Sequence, residues 1–163
     1  MVESGFYKIK DEYFELIAKL GGTYGDRKTR PIYCCMRDAS HPYIYWGIPT
    51  SDVSHRTPKA MDRIKWFCAL PGRDIRSCYY HIGKTNRPAI FKISSALPLS
   101  EKYVDGEYTS QGSHLILRDK TQIKQISRKL ARILFDEKTH PDKYEQHMTS
   151  IKEYIIRETE VDA

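Results

Sequence analysis

The chain has 163 residues, of which 40% are hydrophobic and 29% are charged, and its formal net charge is +6. This composition is ordinary for one folded domain and excludes a collagen-like, low-complexity or intrinsically disordered chain. No apolar run approaches the roughly 20 residues that a membrane-spanning helix needs, and the first residues lack the basic and apolar stretches of a secretory signal. We therefore expect a single cytoplasmic domain that covers residues 1–163.

The four cysteines are not spaced like metal ligands. Cys34 and Cys35 are adjacent in an apolar stretch, and Cys68 and Cys78 stand apart from them. The sequence contains no CxxC pair and no cysteine–histidine spacing typical of a zinc site. We expect reduced, buried thiols, and neither a metal ion nor another cofactor.

The positive charge is concentrated in the middle of the chain. Residues 23–49 carry four basic and two acidic side chains, and residues 50–92 carry nine basic and three acidic ones. Aromatic residues are interleaved with these cations, a composition that favours single-stranded nucleic acid, because cations bind phosphates and rings stack on unpaired bases. The alternative is a solvated basic surface over an aromatic core. The aromatic residues are Tyr24, Tyr33, Tyr43, Tyr45, Trp46, Trp66, Tyr79 and Tyr80.

Most of the elements predicted for the first two thirds of the chain are short strands. Alternation of apolar residues predicts the strands, and apolar residues three and four positions apart predict the helix. In chain order, we predict a strand at 6–10, a helix at 11–20, strands at 31–38 and 43–49 that form a hairpin, a segment at 60–70 that fits either a helix or a strand, and a second hairpin at 76–94 whose turn is GKTNR.

Helices dominate the last third. Residues 96–113 form a long connection, which we interpret as a lid or a partner-binding loop. A helix follows with an apolar stripe around Ile126 and Leu130, and a second helix is expected to begin near Pro141. Strands first and helices last predict an α+β fold: a small, bent antiparallel sheet or barrel with added helices, two of them C-terminal.

A polar segment after the second predicted strand carries the groups that could act on a phosphate. Thr50 and Ser51 are adjacent hydroxyls, and His55, Arg56 and Lys59 follow within eight residues. Cations stabilise charge on phosphorus, and an imidazole can transfer a proton near neutral pH. Each residue also has a simple structural explanation, as part of a turn, an exposed loop histidine or a lysine at the start of a helix. The density of such groups is therefore the signal.

Several common catalytic frameworks are absent from the sequence. It contains no GxSxG, P-loop, HExxH or GxGxxG motif. Only Asp52, Asp62 and Asp74 are acidic in residues 50–92, whereas a two-metal nuclease needs clustered carboxylates. What remains is chemistry that uses cations and hydroxyls on a phosphate. A metal-free ribonuclease is one example, in which the 2′-hydroxyl of the RNA is the nucleophile.

The order of motifs resembles the toxins of type III toxin–antitoxin systems, the ToxN/AbiQ-like endoribonucleases, and among them the CptN-type branch. The resemblance extends over nearly the whole chain, although each motif is short. The motifs are FYKIKDEYFELIAKL, RPIYCC, YIYWGIPTSD, the PK pair at 58–59, AIFKISSALPL and the two terminal helices.

The resemblance implies a fold, a reaction and a partner. It implies a compact SH3-like antiparallel β-barrel with added helices, similar to the MazF/Kid toxins. It implies metal-independent RNA cleavage that leaves a 2′,3′-cyclic phosphate and a 5′-hydroxyl, for phage defence or growth inhibition. It further implies inhibition by a repeated, pseudoknotted antitoxin RNA, which the toxin trims from its precursor and with which it closes into a hetero-oligomer.

The resemblance also implies roles for individual residues. Thr50 and Ser51 match the family's hydroxyl pair at the scissile phosphate. The family's lysine follows these hydroxyls closely, whereas Lys59 comes eight residues after Ser51, so this segment carries an insertion. A further basic residue is expected before the first hairpin strand, and either Arg30 or Lys28 could take that position.

Our hypothesis is an RNA-cleaving toxin, with a non-catalytic RNA-binding module as the alternative and a protein-interaction domain as the third choice. Thr50 and Ser51 hold the scissile phosphate, and Lys59 or His55 stabilises charge or transfers the proton. The expected RNA-binding residues are Lys28, Arg30, Arg56 and Lys65 on phosphates, and Tyr45 and Trp66 on bases.

Overall fold

A computed structural model describes residues 1–26 and 28–163 and confirms the α+β fold class with an antiparallel sheet. The helices are α1 (Asp11–Lys19), α2 (Pro58–Cys68), α3 (Lys120–Thr139) and α4 (Met148–Asp162). The strands are β1 (Phe6–Ile9), β2 (Ile32–Arg37), β3 (Tyr45–Asp52), β4 (Tyr80–Lys84), β5 (Pro88–Lys92), β6 (Leu97–Leu99), β7 (Val104–Glu107), β8 (Thr109–Ser110) and β9 (Ser113–His114).

Strand β3 is the centre of the main sheet, whose order is β4-β5-β3-β2-β1-β7, with β6 paired to β3 outside this path. One side of β3 pairs with β2 along most of its length. On the other side, the first half of β3 pairs with β6 and the second half pairs with β5. This change of partner lets the end of β3 project beside the β4–β5 hairpin, where the polar segment lies.

The sheet is not closed into a barrel, so the expected SH3-like closure is wrong. Helix α3 covers the outer edge of β4, where the Gln122 amide accepts from Lys84 N and donates to Lys84 O, both at 2.8 Å. Gly83 makes this approach possible, since a Cβ there would clash with the amide of Gln122. At β6, Pro98 O accepts from Tyr13 of α1. Helix side chains thus occupy edge groups that a closing strand would need.

The core lies on both faces of the sheet, as the alternation of side chains along β2 requires. Tyr33 faces a cluster that contains Ile126 and Leu130 of α3. Ile32 and Cys34 face a second cluster with residues of α1 and α4. The apolar stripe predicted for α3 is therefore confirmed as a core face.

The structure settles one open alternative and differs from two other sequence expectations. The segment at 60–70 is a helix, because Thr57 caps α2 by accepting from Ala60 N and Pro58 occupies the first turn. Helix α4 begins at Met148, so Pro141 lies in the preceding turn. Residues 96–113 are mostly strands of the sheet and the small β8–β9 hairpin, not a lid. No helix in the described ranges is long and apolar enough to cross a membrane.

Candidate nucleic-acid interface

A polar cavity of about 470 Å³ lies at the end of β3. Its walls come from the segment before β2, the end of β3, the β4–β5 turn and strand β8. Phe6, Ala89 and Leu115 supply its apolar part. The volume falls in the range usual for ligand sites. Four of the sequence-predicted residues line it, namely Arg30, Thr50, Ser51 and His55.

The hydroxyl pair lies in β3 rather than in a loop after it. Thr50 pairs with Phe91 and Ser51 pairs with Ile90 across the β3–β5 ladder. Both residues are buried, at 5% and 7% exposure, yet both line the cavity. Thr50 Oγ1 donates to Pro31 O at 2.9 Å, which fixes its rotamer and leaves its lone pairs toward other donors.

Arg56 is held at the cavity by Ser51. The Ser51 Oγ accepts from Arg56 Nη2 at 2.8 Å and from Arg56 Nε at 3.3 Å. The partner of this guanidinium is a neutral hydroxyl, so its charge is not cancelled by the contact. A hydroxyl that accepts from a cation can still donate its own proton. Together the two side chains offer a phosphate both a proton donor and a positive charge.

Asp52 shapes the turn that carries His55. Its carboxylate accepts from Ser54 N at 2.8 Å, and this caps the 3₁₀ turn Val53–His55. The same hydrogen bond lowers the pKa of Asp52 below its usual value. The opposite carboxylate oxygen lies 3.6 Å from Arg87 Nη1. His55 is exposed at the cavity wall, where its imidazole can reach a bound group.

Arg30 lines the cavity with its charge partly neutralised, because Arg30 Nη1 lies 3.2 Å from Asp26 Oδ1. Asp26 also pairs with Lys92 at 3.7 Å. Lys28 does not line the cavity, since its ammonium lies over the ring of Phe14, 5.8 Å from the ring centre. Of the two basic residues considered before β2, the structure brings Arg30 to the cavity.

Lys59, Lys65 and Trp66 lie outside the cavity lining, on helix α2. Lys59 is exposed in the first turn of α2, because the helix begins immediately after its capping residue, Thr57. The structure therefore does not bring Lys59 to the hydroxyl pair in the way that the sequence hypothesis assumed. Trp66 is 53% exposed and faces solvent.

Tyr45 is not available for base stacking. Its ring is 6% exposed and lies in the core. Its hydroxyl accepts from Arg37 Nη2 at 2.8 Å, and the Arg37 guanidinium lies over the ring, 5.1 Å from its centre. This burial disfavours the base-stacking role predicted for Tyr45 from the sequence, which stays a prediction.

The cavity lining also contains residues that the sequence did not indicate. They are Asn86, Arg87 and Tyr108. Asn86 Nδ2 donates to Ser110 Oγ at 3.0 Å and joins the β4–β5 turn to strand β8. The turn was visible in the sequence, but its position over the end of β3 follows from the pairing of Asp52 with Ala89.

The chemistry of the lining is that of an anion site with one imidazole. Within residues 1–26 and 28–163, no group of three or more His, Cys, Asp or Glu side chains could hold a metal ion. Burial raises the pKa of Cys34 and of Cys35 to about 12. Such thiols are poor nucleophiles near neutral pH. The reactive groups of the site are therefore hydroxyls, guanidinium groups and His55.

Comparison with known proteins finds similarity at the level of structure and none at the level of sequence. No family model and no curated protein matches the sequence. Among solved structures, the chain is similar to the Mycobacterium tuberculosis toxin MazF-mt6, at 8% sequence identity and a TM-score of 0.38. The likeness covers 80% of this chain and 96% of that chain. At this identity and TM-score it assigns neither a fold family nor an activity.

Proposed function

We propose that the chain is a metal-independent endoribonuclease. The observation that carries this proposal is that Ser51 and His55 line one polar cavity, while the Ser51 hydroxyl also accepts from the Arg56 guanidinium. In the proposed reaction the 2′-oxygen of RNA bonds to the adjacent phosphorus and the bond from phosphorus to the 5′-oxygen breaks. The products are a 2′,3′-cyclic phosphate and a 5′-hydroxyl, and no water is consumed.

Ser51 and Arg56 hold the scissile phosphate in this mechanism. The Ser51 hydroxyl donates its proton to one phosphate oxygen, and the Arg56 guanidinium binds a second one. Because the 2.8 Å bond between them fixes both side chains in advance, little reorganisation is needed when negative charge grows on phosphorus. Thr50, on the same strand, holds the loop before β2 through Pro31 O and so positions Arg30.

His55 transfers the proton of the attacking 2′-hydroxyl. A neutral imidazole can take that proton, and its conjugate acid can deliver it to the departing 5′-oxygen. Lys59, placed on α2 outside the cavity lining, binds a flanking phosphate instead. Arg87 of the β4–β5 turn also lines the cavity and adds a second cation to the site. Arg is a poor proton acceptor, so neither Arg56 nor Arg87 serves as the base.

The proposal extends to a biological role. The motif order described above resembles type III toxins, and we propose that a repeated, pseudoknotted antitoxin RNA inhibits this chain and is trimmed by it. The basic middle of the sequence supports an RNA partner. Isolation of the protein from cells that carry its native operon tests this role. We expect a single discrete RNA ending in a 2′,3′-cyclic phosphate. Heterogeneous RNA, or none, would contradict the proposal that an antitoxin RNA is the partner.

The reaction itself is tested with purified protein and single-stranded RNA in the presence of EDTA. We expect cleavage, and mass spectrometry should show a 2′,3′-cyclic phosphate on one product and a 5′-hydroxyl on the other. RNA with a 2′-deoxy sugar at the cleaved position is the matched control and should remain intact. Tight, salt-dependent binding without cleavage in EDTA and in Mg²⁺ would instead favour the alternative, a non-catalytic RNA-binding module.

A further inference from the structure

Helix α2 is weakly buried for a helix of its length. Ile64 is its one buried residue, although the helix spans Pro58–Cys68. Trp66 exposes 53% of its surface, in contrast to Trp46, which is 5% exposed in the core. A single exposed aromatic residue is common on proteins and shows nothing alone. The charged groups around Trp66 provide the second observation.

One cation lies against the exposed ring, and others are exposed nearby in the sequence. The Arg76 guanidinium lies over the Trp66 ring, 5.5 Å from its centre. Asp74 holds that guanidinium in place through Nη2 at 2.7 Å and Nε at 3.1 Å. Arg63 lies over the neighbouring Phe67 ring at 5.8 Å. The α2 surface, as we define it, consists of Arg63, Lys65, Trp66, Arg73 and Arg76, all exposed.

The α2 surface is connected to the cavity through the chain itself. His55 lines the cavity, and α2 begins three residues later at Pro58. The helix has 11 residues and is therefore about 16 Å long. A strand that leaves the cavity beside His55 can follow this helix over several nucleotides. The exposed ring lies in the last turn of the helix.

We propose that the α2 surface binds single-stranded RNA that flanks the phosphate in the cavity. Trp66 stacks on an unpaired base, and Arg63, Lys65 and Arg73 contact phosphates. This combination of an aromatic ring and cations suits single strands, whose bases expose their faces, better than a duplex. The proposal rests on the proposed function in taking RNA as the ligand, but binding at α2 does not require cleavage.

The test measures binding of an uncleavable RNA. A 2′-O-methylated single strand of about 12 nucleotides, the scale of a single-strand binding site, is compared with a dinucleotide that fills only the cavity. Trp66→Leu should weaken binding of the longer strand roughly 5- to 100-fold, the effect of losing one base–aromatic stack. It should leave dinucleotide binding unchanged. Lys65→Glu should weaken longer-strand binding and reduce its dependence on salt.

Matched controls lie on α4, on another part of the molecule. The Tyr154 ring also has a cation over it, Lys19 at 5.7 Å, although Tyr154 is half-buried against the core. Tyr154→Leu and Arg157→Glu should leave the affinity for the longer strand within twofold. Circular dichroism checks that each variant is folded. Since Trp46 is buried, quenching of fluorescence by RNA should come from Trp66 and disappear in Trp66→Leu.

The outcomes separate this proposal from the proposed function. If Trp66→Leu and Lys65→Glu bind the longer strand like the parent while the parent cleaves RNA, the α2 surface is wrong and the function stands. If the parent never cleaves but both variants lose affinity, the α2 surface stands and the proposed function is wrong. Equal competition by an acidic polypeptide of the same charge, without quenching, would also overturn the stacking role and point to a protein partner.

Discussion

The two ends of strand β3 carry polar groups of opposite character. At the start of the strand, Trp46 Nε1 donates to Asp38 at 3.0 Å, and Lys152 Nζ from α4 donates to the same carboxylate at 2.9 Å. At the end of the strand, Ser51 lines an open cavity and its hydroxyl accepts from Arg56. The start is a paired network that joins elements of the fold. At the end of the strand, the Arg56 cation is hydrogen-bonded to a neutral hydroxyl.

This difference shows how one strand can serve both stability and binding. The charges around Asp38 are matched inside the protein, so an added ion would gain little there. Around Ser51, by contrast, the Arg56 charge is not offset by its hydroxyl partner, and an anionic ligand can supply the missing charge. Substitutions at the start of β3 should therefore affect stability, and substitutions at its end should affect activity.

The largest expected effect is on cleavage by Ser51→Ala. The variant loses a proton donor to the phosphate and releases Arg56, so kcat should fall about 100-fold or more, as for loss of one donor to a transition-state oxyanion. Ser40→Ala, which removes an exposed hydroxyl before the start of β3, is the control. Single-turnover cleavage of a labelled RNA measures both. Equal rates for Ser51→Ala and the parent would remove Ser51 from the site.

The second effect is on stability, through Asp38→Ala. This change leaves Trp46 Nε1 and the Lys152 ammonium without their acceptor, and the free energy of unfolding should fall by roughly 2 kcal/mol. Urea unfolding measures the loss, with the exposed Asp105→Ala as the control. The folded variant should cleave RNA at the parental rate. A loss of activity in folded protein would show that the two ends of β3 are not independent.

The third effect is a dependence of stability on pH that belongs to the start of β3. Burial tends to raise the pKa of Asp38, but hydrogen bonds from Lys152 and Trp46 outweigh it and hold the pKa below its usual value. A carboxyl with a lower pKa when folded stabilises the protein above its unfolded pKa, about 3.9, and loses this contribution as the pH falls through the folded pKa. Melting temperatures between about pH 5 and pH 2 should therefore drop less in Asp38→Asn than in the parent. Equal slopes would assign the acid sensitivity to other groups.

The smallest effect expected is that of Arg87→Gln. Arg87 lies 3.6 Å from Asp52 and its side chain is 73% exposed, so the free energy of unfolding should change by less than about 0.5 kcal/mol. The variant removes one cation from the cavity wall, and KM for RNA should rise several-fold with kcat nearly constant. Steady-state kinetics and urea unfolding measure the two quantities. A stability loss as large as that of Asp38→Ala would contradict the contrast between the two ends.

Local patterns predicted much of this fold. The spacing of apolar residues placed α1 and α3, because each helix buries one face against the sheet. The end of strand β3 was harder to predict from local sequence. Pro49 was read as the stop of the strand, yet it pairs with Ile32, and Thr50 continues the strand by pairing with Phe91 of β5. That partner lies about forty residues further along the chain, beyond any local pattern.

The residues of the candidate site likewise fall into those that local sequence indicated and those that depend on the order of the strands. The density of polar groups after Pro49 pointed to Ser51 and His55, which line the cavity, and to Arg56, which donates to Ser51. Their role in a reaction stays a prediction. The same group of residues also included Lys59, which the start of α2 carries outside the cavity lining. Arg87 could not have been found, because the turn that carries it reaches the cavity only through the order of strands in the sheet.

The coverage of sheet edges by helices has a consequence for self-association. Helix side chains occupy backbone groups of β4 and β6, as described above. In the described part of the chain this leaves β7, with the acidic residues Asp105 and Glu107, as the remaining edge of the main sheet. The negative charge of these residues disfavours pairing of β7 with the same strand of a second copy, because like charges would then lie side by side.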